Sequence, residues 1–413
     1  MTAPRERRDL RVLHIITRLI VGGAQENTLF TVIGQHRTPG MKVTLLTGYD
    51  FGPEGTLDER AFREGIDVQH MAELVRPLDP PTDATAFAKL VAFIRAGRYD
   101  VVHTHISKAG ILGRLAARAA SVPIIVHTHH GLIFGDHARP WENAVYTRLE
   151  RWCGALCAAH ISVSNATRDG AIAAGIGRPE QHSTIYSGFH IEPYLRVRDL
   201  LSVADAKRAL GLSPEHLVVG KVGRLFTQKG HEYVIEAART IAAREPRARF
   251  VFVGDGILRG EYERRVAEYG LADRFLFTGL IPSERVPAAL QAFDVLVHTS
   301  HREGLAKVIP QAEAVGKPVV SFALDGSLDA IEDGVSGFLT RPHDAGEVAA
   351  RVLELLPDEP RRHAMGERGR AFAARNFPVE VMVRRINEVY WKLAAERLPG
   401  VLFADTPSRL PLA

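Results

Sequence analysis

What most constrains the fold of this 413-residue chain is a rhythm of short apolar runs and amphipathic stretches that plays through twice. The first pass opens with an apolar run at 12–16, then Gly22 and Gly23, then a helical stretch at 24–35. Residues 42–47 alternate as a strand, and 87–95 carry Phe87, Leu90, Val91 and Ile94 at helical spacing. Strand, helix and strand follow at 101–105, 109–120 and 123–127. The second pass has strands at 217–222, 249–253, 275–277, 295–298, 318–321 and 337–339, with helices at 231–244, 258–269, 283–293 and 308–315 between them. Short apolar runs alternating with amphipathic helices predict a parallel sheet covered on both faces. The chain is therefore α/β, with two units of similar architecture and no close sequence repetition between them.

The boundary falls within 187–200, where Gly188, Pro193 and charged residues replace an apolar strand. The expected domains are 1–192 and 193–377. A helix at 378–397 comes next, with Val379, Met382, Val383, Ile386, Val389 and Tyr390 on one apolar face that needs a partner, expected on the first domain. Residues 398–413, rich in Pro and small side chains, are expected to be disordered. Hydrophobic residues at 46% and charged residues at 24% allow real cores. A net charge of +4, with Arg and Lys interspersed among Asp and Glu, argues against a nucleic-acid partner. The only cysteines, Cys153 and Cys157, are expected on one helical face as buried reduced thiols, with a redox pair as the alternative. The apolar run at 10–21 is broken by Arg11, His14 and Arg18, and no stretch reaches the ~18 apolar residues of a membrane span. A cytoplasmic protein is expected, with peripheral membrane contact left open.

Three constellations carry chemistry. In the first, a strand delivers Gly223 and Arg224 to the carboxyl edge of a sheet, Lys229 and Gly230 follow, and a helix begins. Ligands of open α/β sheets bind at that edge, and two cations beside a helix N-terminus suit one anionic group. In the second, a strand ends at His298, a loop carries Glu303 and Gly304, and a helix start can hold phosphate oxygens. Glu303 and Gln311, eight residues apart, suit a hydroxyl-rich ligand. The third is rich in histidine: His103-Thr104-His105, and His127-Thr128-His129-His130, both at strand ends. H-x-H invites a metal reading, but no acidic or cysteine partner stands at convincing spacing. Lys108 and Arg114 are either acceptor contacts or solvated charges.

Gly22-Gly23, V-G-R-L-x-x-x-K-G at 222–230, Val253-Gly254-Asp255-Gly256, Phe277-Thr278-Gly279 and the E-G-L…G-K-P-V-V block at 303–320 stand in one order. This ordered set resembles the retaining GT-B glycosyltransferases of glycosyltransferase family four. The resemblance implies two Rossmann-like domains facing across a cleft, with the C-terminal helix crossing back to the first. It implies transfer of a sugar from a nucleotide-diphosphate donor to a glycan, glycolipid or small-molecule acceptor, with polysaccharide or glycoconjugate synthesis as the expected setting. Arg224 and Lys229 would neutralise the diphosphate. Glu303 would contact sugar hydroxyls, with the backbone of Gly304, Leu305, Ala306 and Lys307 holding sugar and phosphate. Ile281 would lie beside the base, and Asp255 and Gly223 would line the donor site. Gly22 and Gly23 would let the first domain approach the donor. His130 would contact the transferred sugar or the acceptor, with His129 as its rival and His105 lining the cleft. The family's second glutamate is Gln311 here, and Glu313 lies too far around the helix to replace it.

A diphosphate leaving group stabilised by cations and a helix N-terminus requires no metal ion, and Asp-x-Asp is absent. No cofactor and no metal are therefore expected. A nucleotide-sugar epimerase and a non-catalytic carbohydrate-binding relative are the alternatives.

Overall fold

The computed structural model describes residues 7–49, 55–132, 140–399 and 401–403. The chain forms two compact units, Met1–Phe189 with Val379–Ala413, and His190–Pro378. The first contains β1 (Arg7–Arg8), β2 (Leu10–Ile15), β3 (Met41–Thr47), β4 (Asp67–His70), β5 (Val101–His105), β6 (Ile124–His129), β7 (Ala159–Ser162) and β8 (His182–Thr184). Seven of these make one sheet in the order β4-β3-β2-β5-β6-β7-β8, every neighbouring pair parallel. Parallel strands need crossovers, and helices such as Gly23–His36 and Ser107–Ala119 supply them. β5 and β6 are buried along their whole length, as expected of strands covered on both faces.

The second unit contains β9 (Leu217–Val222), β10 (Ala248–Val253), β11 (Phe275–Phe277), β12 (Val295–His298), β13 (Val319–Phe322) and β14 (Gly337–Thr340), paired in parallel as β11-β10-β9-β12-β13-β14. Each sheet has one place where the strand order reverses, between β2 and β5 in the first and between β9 and β12 in the second. The connections at such a point leave in opposite directions and open a crevice at the carboxyl ends, where α/β sheets take ligands.

The helix Val379–Arg397 belongs to the first unit and packs along Gly23–His36. Val379, Met382, Val383, Ile386 and Tyr390 are buried, as are Asn387 and Trp391. Gly34 lets the two axes approach, since a Cβ there would lie 2.5 Å from Val383 Cγ2. The tail departs from expectation. Leu402–Phe403, β15, pairs in parallel with β1, and Phe403 meets Trp391 edge-on, so order extends past residue 398. Residues 404–413 lie outside the described residues.

Three strands of the seven-stranded sheet had no counterpart in the sequence reading. β4 is short and half exposed, the apolar run of β7 is interrupted by His160, and β8 is the polar run His182–Thr184. The expected helix at 283–293 divides into a 3-10 turn, Ser283–Arg285, and a helix, Val286–Gln291, with Pro287 in its first turn. Two helices after Thr340, Ala345–Leu355 and Glu359–Asn376, close the second unit. The helix Pro140–Gly154 ends before Cys157, so the cysteines do not share a helical face; both are buried and free. Burial pushes the Cys157 thiol up to about 12, the inert side of cysteine chemistry.

Candidate active site

In the second unit four loops meet at the carboxyl edge. The loop after β9 carries Gly223 and Arg224. Leu225 N–H donates to Asp255 O at 2.9 Å and Leu258 N–H to Leu225 O at 3.1 Å, interlocking this loop with the one after β10. Gly254, at φ +134°, is needed there, since a Cβ would lie 2.2 Å from Gly223 O. Gly254 also bridges to Gly279, which brings the segment leading to half-buried Ile281 alongside. Asp255 accepts from Gly256 N–H at 2.8 Å and pairs with Arg259 at 3.3 Å, so its carboxylate is engaged in holding the turn.

Lys229 ends a 3-10 turn, Thr227–Lys229, and Gly230 starts the helix His231–Arg244 from a left-handed φ of +62°. A buried relay fixes that turn: Lys221 Nζ donates to Thr299 Oγ1 at 2.8 Å, and the Thr299 hydroxyl donates to Gly230 O at 2.6 Å. Burial, aided by the nearby Lys229 charge, pushes the Lys221 amine down to about 7. Lys221 and Thr299 support the loop, and sequence reasoning missed them. A lysine inside an apolar strand was the available signal, since buried lysines need a specific partner.

Lys229 Nζ forms an ion pair with the Glu303 carboxylate, both half-buried. Asp325 holds the Glu303 backbone N–H at 2.8 Å, and Gly326 lies against Gly304, where a Cβ would fall 2.3 Å from the Gly304 carbonyl. Arg224 is exposed, its guanidinium 5.1 Å from the Phe226 ring centroid. Leu305 and Lys307 are half-buried and Ala306 is buried. Burial lowers the Lys307 amine to about 8. The helix Val308–Val315 has no side-chain cap and no acidic residue in its first turn, so its positive end is uncompensated. Gln311 is half-buried. Glu313 is fully buried, and burial raises its carboxyl well above the usual range, so it cannot substitute for Gln311 at the ligand.

In the first unit, Gly22 precedes the helix Gly23–His36 in extended conformation, and a Cβ at Gly23 would meet nothing within 4 Å. Ile106, after β5, has φ +53°, a strained value for a β-branched residue. The histidines alternate across the sheet. His14, His103 and His105 stand on one face, and His127, His129, His160 and His182 on the other, with all but half-buried His182 fully buried. His105 does not line a cleft; it lies behind half-buried His130, its Nδ1 3.1 Å from His130 Nε2. His129 turns inward to His160 at 3.2 Å. Burial lowers His130 to about 4, so its ring is neutral at pH 7.

Two further readings are corrected. Arg114 is neither solvated nor an acceptor contact: it is fully buried, with its guanidinium 2.8 Å from Glu150 and its Nε donating to Gly110 O. Lys108 is largely buried, in an ion pair with Asp83. His14, His103 and His105 bring three ring nitrogens within 4.8 Å of one another. Every nitrogen of these rings already faces a partner: Gln35 and His105 for His14, Tyr390 and Thr128 for His103, His14 and His130 for His105. In the segment 131–148, Phe134 lies outside the described residues, while Trp141 is exposed.

Two parallel-sheet units, each with one point where the strand order reverses, define a doubly wound α/β class, and the comparisons name the family. Residues 203–372 match glycosyl transferases group 1, and residues 23–188 match the glycosyl transferase 4-like domain. The chain is 30% identical over 321 residues to the UDP-Gal:alpha-D-GlcNAc-diphosphoundecaprenol alpha-1,3-galactosyltransferase of Escherichia coli, covering 77% of this chain and 81% of that one. It is 28% identical over 304 residues to the 2-deoxystreptamine glucosyltransferase of Streptomyces kanamyceticus, covering 72% and 78%. Among solved structures, Anabaena Alr3699/HepE in complex with UDP matches with a TM-score of 0.77 at 25% identity, over 92% of this chain and 100% of that one. The chain belongs to the group 1 glycosyltransferases, with the GT-B type of paired Rossmann-like domains, and it is a glycosyltransferase enzyme.

Proposed function

We propose that the chain transfers a sugar, with retention of anomeric configuration, from a uridine-diphosphate donor to a hydroxyl of a glycan, glycolipid or small molecule. The observation that carries the reading is the convergence of Arg224, Lys229, Glu303 and the uncompensated helix start at Val308 on the reversal point between β9 and β12. Departure of the nucleotide develops negative charge on the diphosphate, and preorganised cations and amides stabilise it without a metal ion. Glu303 is suited to the sugar, where positive charge develops. Attack from the face of the leaving group, with its phosphate taking the acceptor proton, needs no covalent nucleophile from the protein. The Anabaena neighbour, captured with UDP and with UDP and glucose, supports the choice of nucleotide. Gly23, which nothing inside the fold requires, fits a ligand's close approach. His130 is assigned to the transferred sugar or the acceptor.

A nucleotide-sugar panel with product analysis, run with and without a chelator, tests this reading. Arg224→Ala and Lys229→Ala are each expected to lose roughly 2–4 kcal/mol of transition-state stabilisation while remaining folded. Turnover restored only by a divalent ion would remove the metal-free mechanism.

No helix among the described residues is long and apolar enough to cross a membrane. The helix Pro140–Gly154 nevertheless exposes Trp141, Val145 and Trp152 at 64%, 49% and 59%, on the face that also presents Arg148. Aromatic residues beside a cation suit an anionic lipid surface, and the galactosyltransferase relative has a diphosphoundecaprenol acceptor in its name. Peripheral attachment at the inner face of the membrane is the reading this face supports. Co-sedimentation with phosphatidylglycerol vesicles, lost in Trp141→Ser/Trp152→Ser, would support it; equal binding to neutral vesicles would count against it.

A further inference from the structure

A single file of hydrogen bonds runs from the C-terminal helix to His130, and its direction is fixed at the far end. Thr38 Oγ1 lies 2.8 Å from Gly34 O, a backbone carbonyl that can only accept, so the threonine proton points there. Thr38 must then accept from Asn387, whose Nδ2 is 3.2 Å away. That orients the Asn387 amide and turns its oxygen toward Gln35 Nε2 at 3.0 Å. Gln35 in turn presents Oε1 to His14 Nε2 at 2.8 Å. An amide oxygen accepts, so His14 carries its proton on Nε2 and leaves Nδ1 as a lone pair. That lone pair faces His105 Nε2 at 2.9 Å, which must therefore be protonated. His105 Nδ1 is then the acceptor for His130 Nε2 at 3.1 Å. The relay requires each ring to be neutral, and burial lowers all three histidines, His14 and His130 to about 4.

We propose that Asn387, Gln35, His14 and His105 are positioning residues that lock His130 into the Nε2–H tautomer, so that its Nδ1 is offered as an acceptor to a hydroxyl of the sugar or the acceptor substrate. The proposal rests on the assignment of His130 to the site given above. Fixing the tautomer of a working imidazole through the bond made by its other nitrogen is a general function of surrounding shells. Here four side chains serve it, one of them from the helix that returns to this unit.

Long-range proton–nitrogen correlation spectra of the full chain with nitrogen-15 histidine read the tautomer directly, with His130 assigned by its loss in His130→Ala. His130 is expected as one species, protonated at Nε2. Gln35→Leu removes the oxygen that orients His14; it should give mixed tautomers at His130 and lower kcat about tenfold with KM for the donor unchanged. Gln35→Glu, which when protonated donates to Asn387 and accepts from His14 as the amide does, should restore both readouts. An Nδ1–H tautomer in the unmodified protein would overturn the proposal, as would Gln35→Leu with unchanged spectra and rate. Full activity of His130→Ala would instead overturn the site assignment, with the spectra still reporting whether the relay exists.

Discussion

Glu303→Gln should tighten the binding of free uridine diphosphate while slowing transfer. Without a ligand, Lys229 is held by the Glu303 carboxylate, with side chains 26% and 21% exposed. A charge-assisted hydrogen bond is worth about 1.5–3 kcal/mol, and partial exposure brings this pair toward about 1 kcal/mol. A diphosphate that recruits Lys229 must loosen that pair and also meets the negative charge of Glu303. Glutamine removes both penalties and keeps the shape, so binding should gain roughly 1–2 kcal/mol, about five- to thirtyfold in Kd. Lys229→Ala should weaken the same binding by about 1.5–3 kcal/mol. Transfer behaves oppositely for Glu303→Gln. In the proposed transfer the carboxylate faces developing positive charge, and its loss should lower kcat about a hundredfold. Isothermal titration with uridine diphosphate and initial rates with the donor sugar separate the two effects. Unchanged or weaker nucleotide binding by Glu303→Gln would show that Lys229 does not exchange partners, and the proposed division of labour would fail.

Three further outcomes follow from the structure. His14, His103, His105, His127, His129 and His160 are buried and their pKa values are lowered, chiefly by burial, so the unfolded chain binds protons first as the pH falls. Stability should be fully present above about pH 6.5 and drop steeply below it, by up to about 1.4 kcal/mol per pH unit for each group; urea titrations from pH 7.5 to 5 would show a flat line if the rings were not neutral. Glu150→Ala strands the Arg114 charge in the core and should cost about 3–5 kcal/mol, seen as a large fall in the denaturation midpoint of the first unit. Gly254→Ala places a methyl against Gly223 O at a φ that disfavours side chains, and it should abolish donor binding ahead of the fold, measurable by comparing thermal melts with and without nucleotide.

The sequence showed best what depends on neighbouring residues, and least what depends on register. Strands β9, β11 and β12 begin and end where the sequence reading put them, because glycine or polar residues bound them. The turn glycines marked the donor loops because their φ values and close approaches are local demands. Arg114 was misread because its partner, Glu150, lies 36 residues away and reaches it only through the packing of two helices. His105 was misread as lining the cleft for the same reason. H-x-H is compatible with a metal site, a solvated rim or a buried ladder, and strand spacing alone does not choose among them. The choice comes from parallel pairing, which sets His14 beside His103, and from a helix some 350 residues downstream that supplies Asn387 and so a direction for the protons. Sheet register thus decides which nitrogen of His130 carries hydrogen, a property of the site that no local motif encodes.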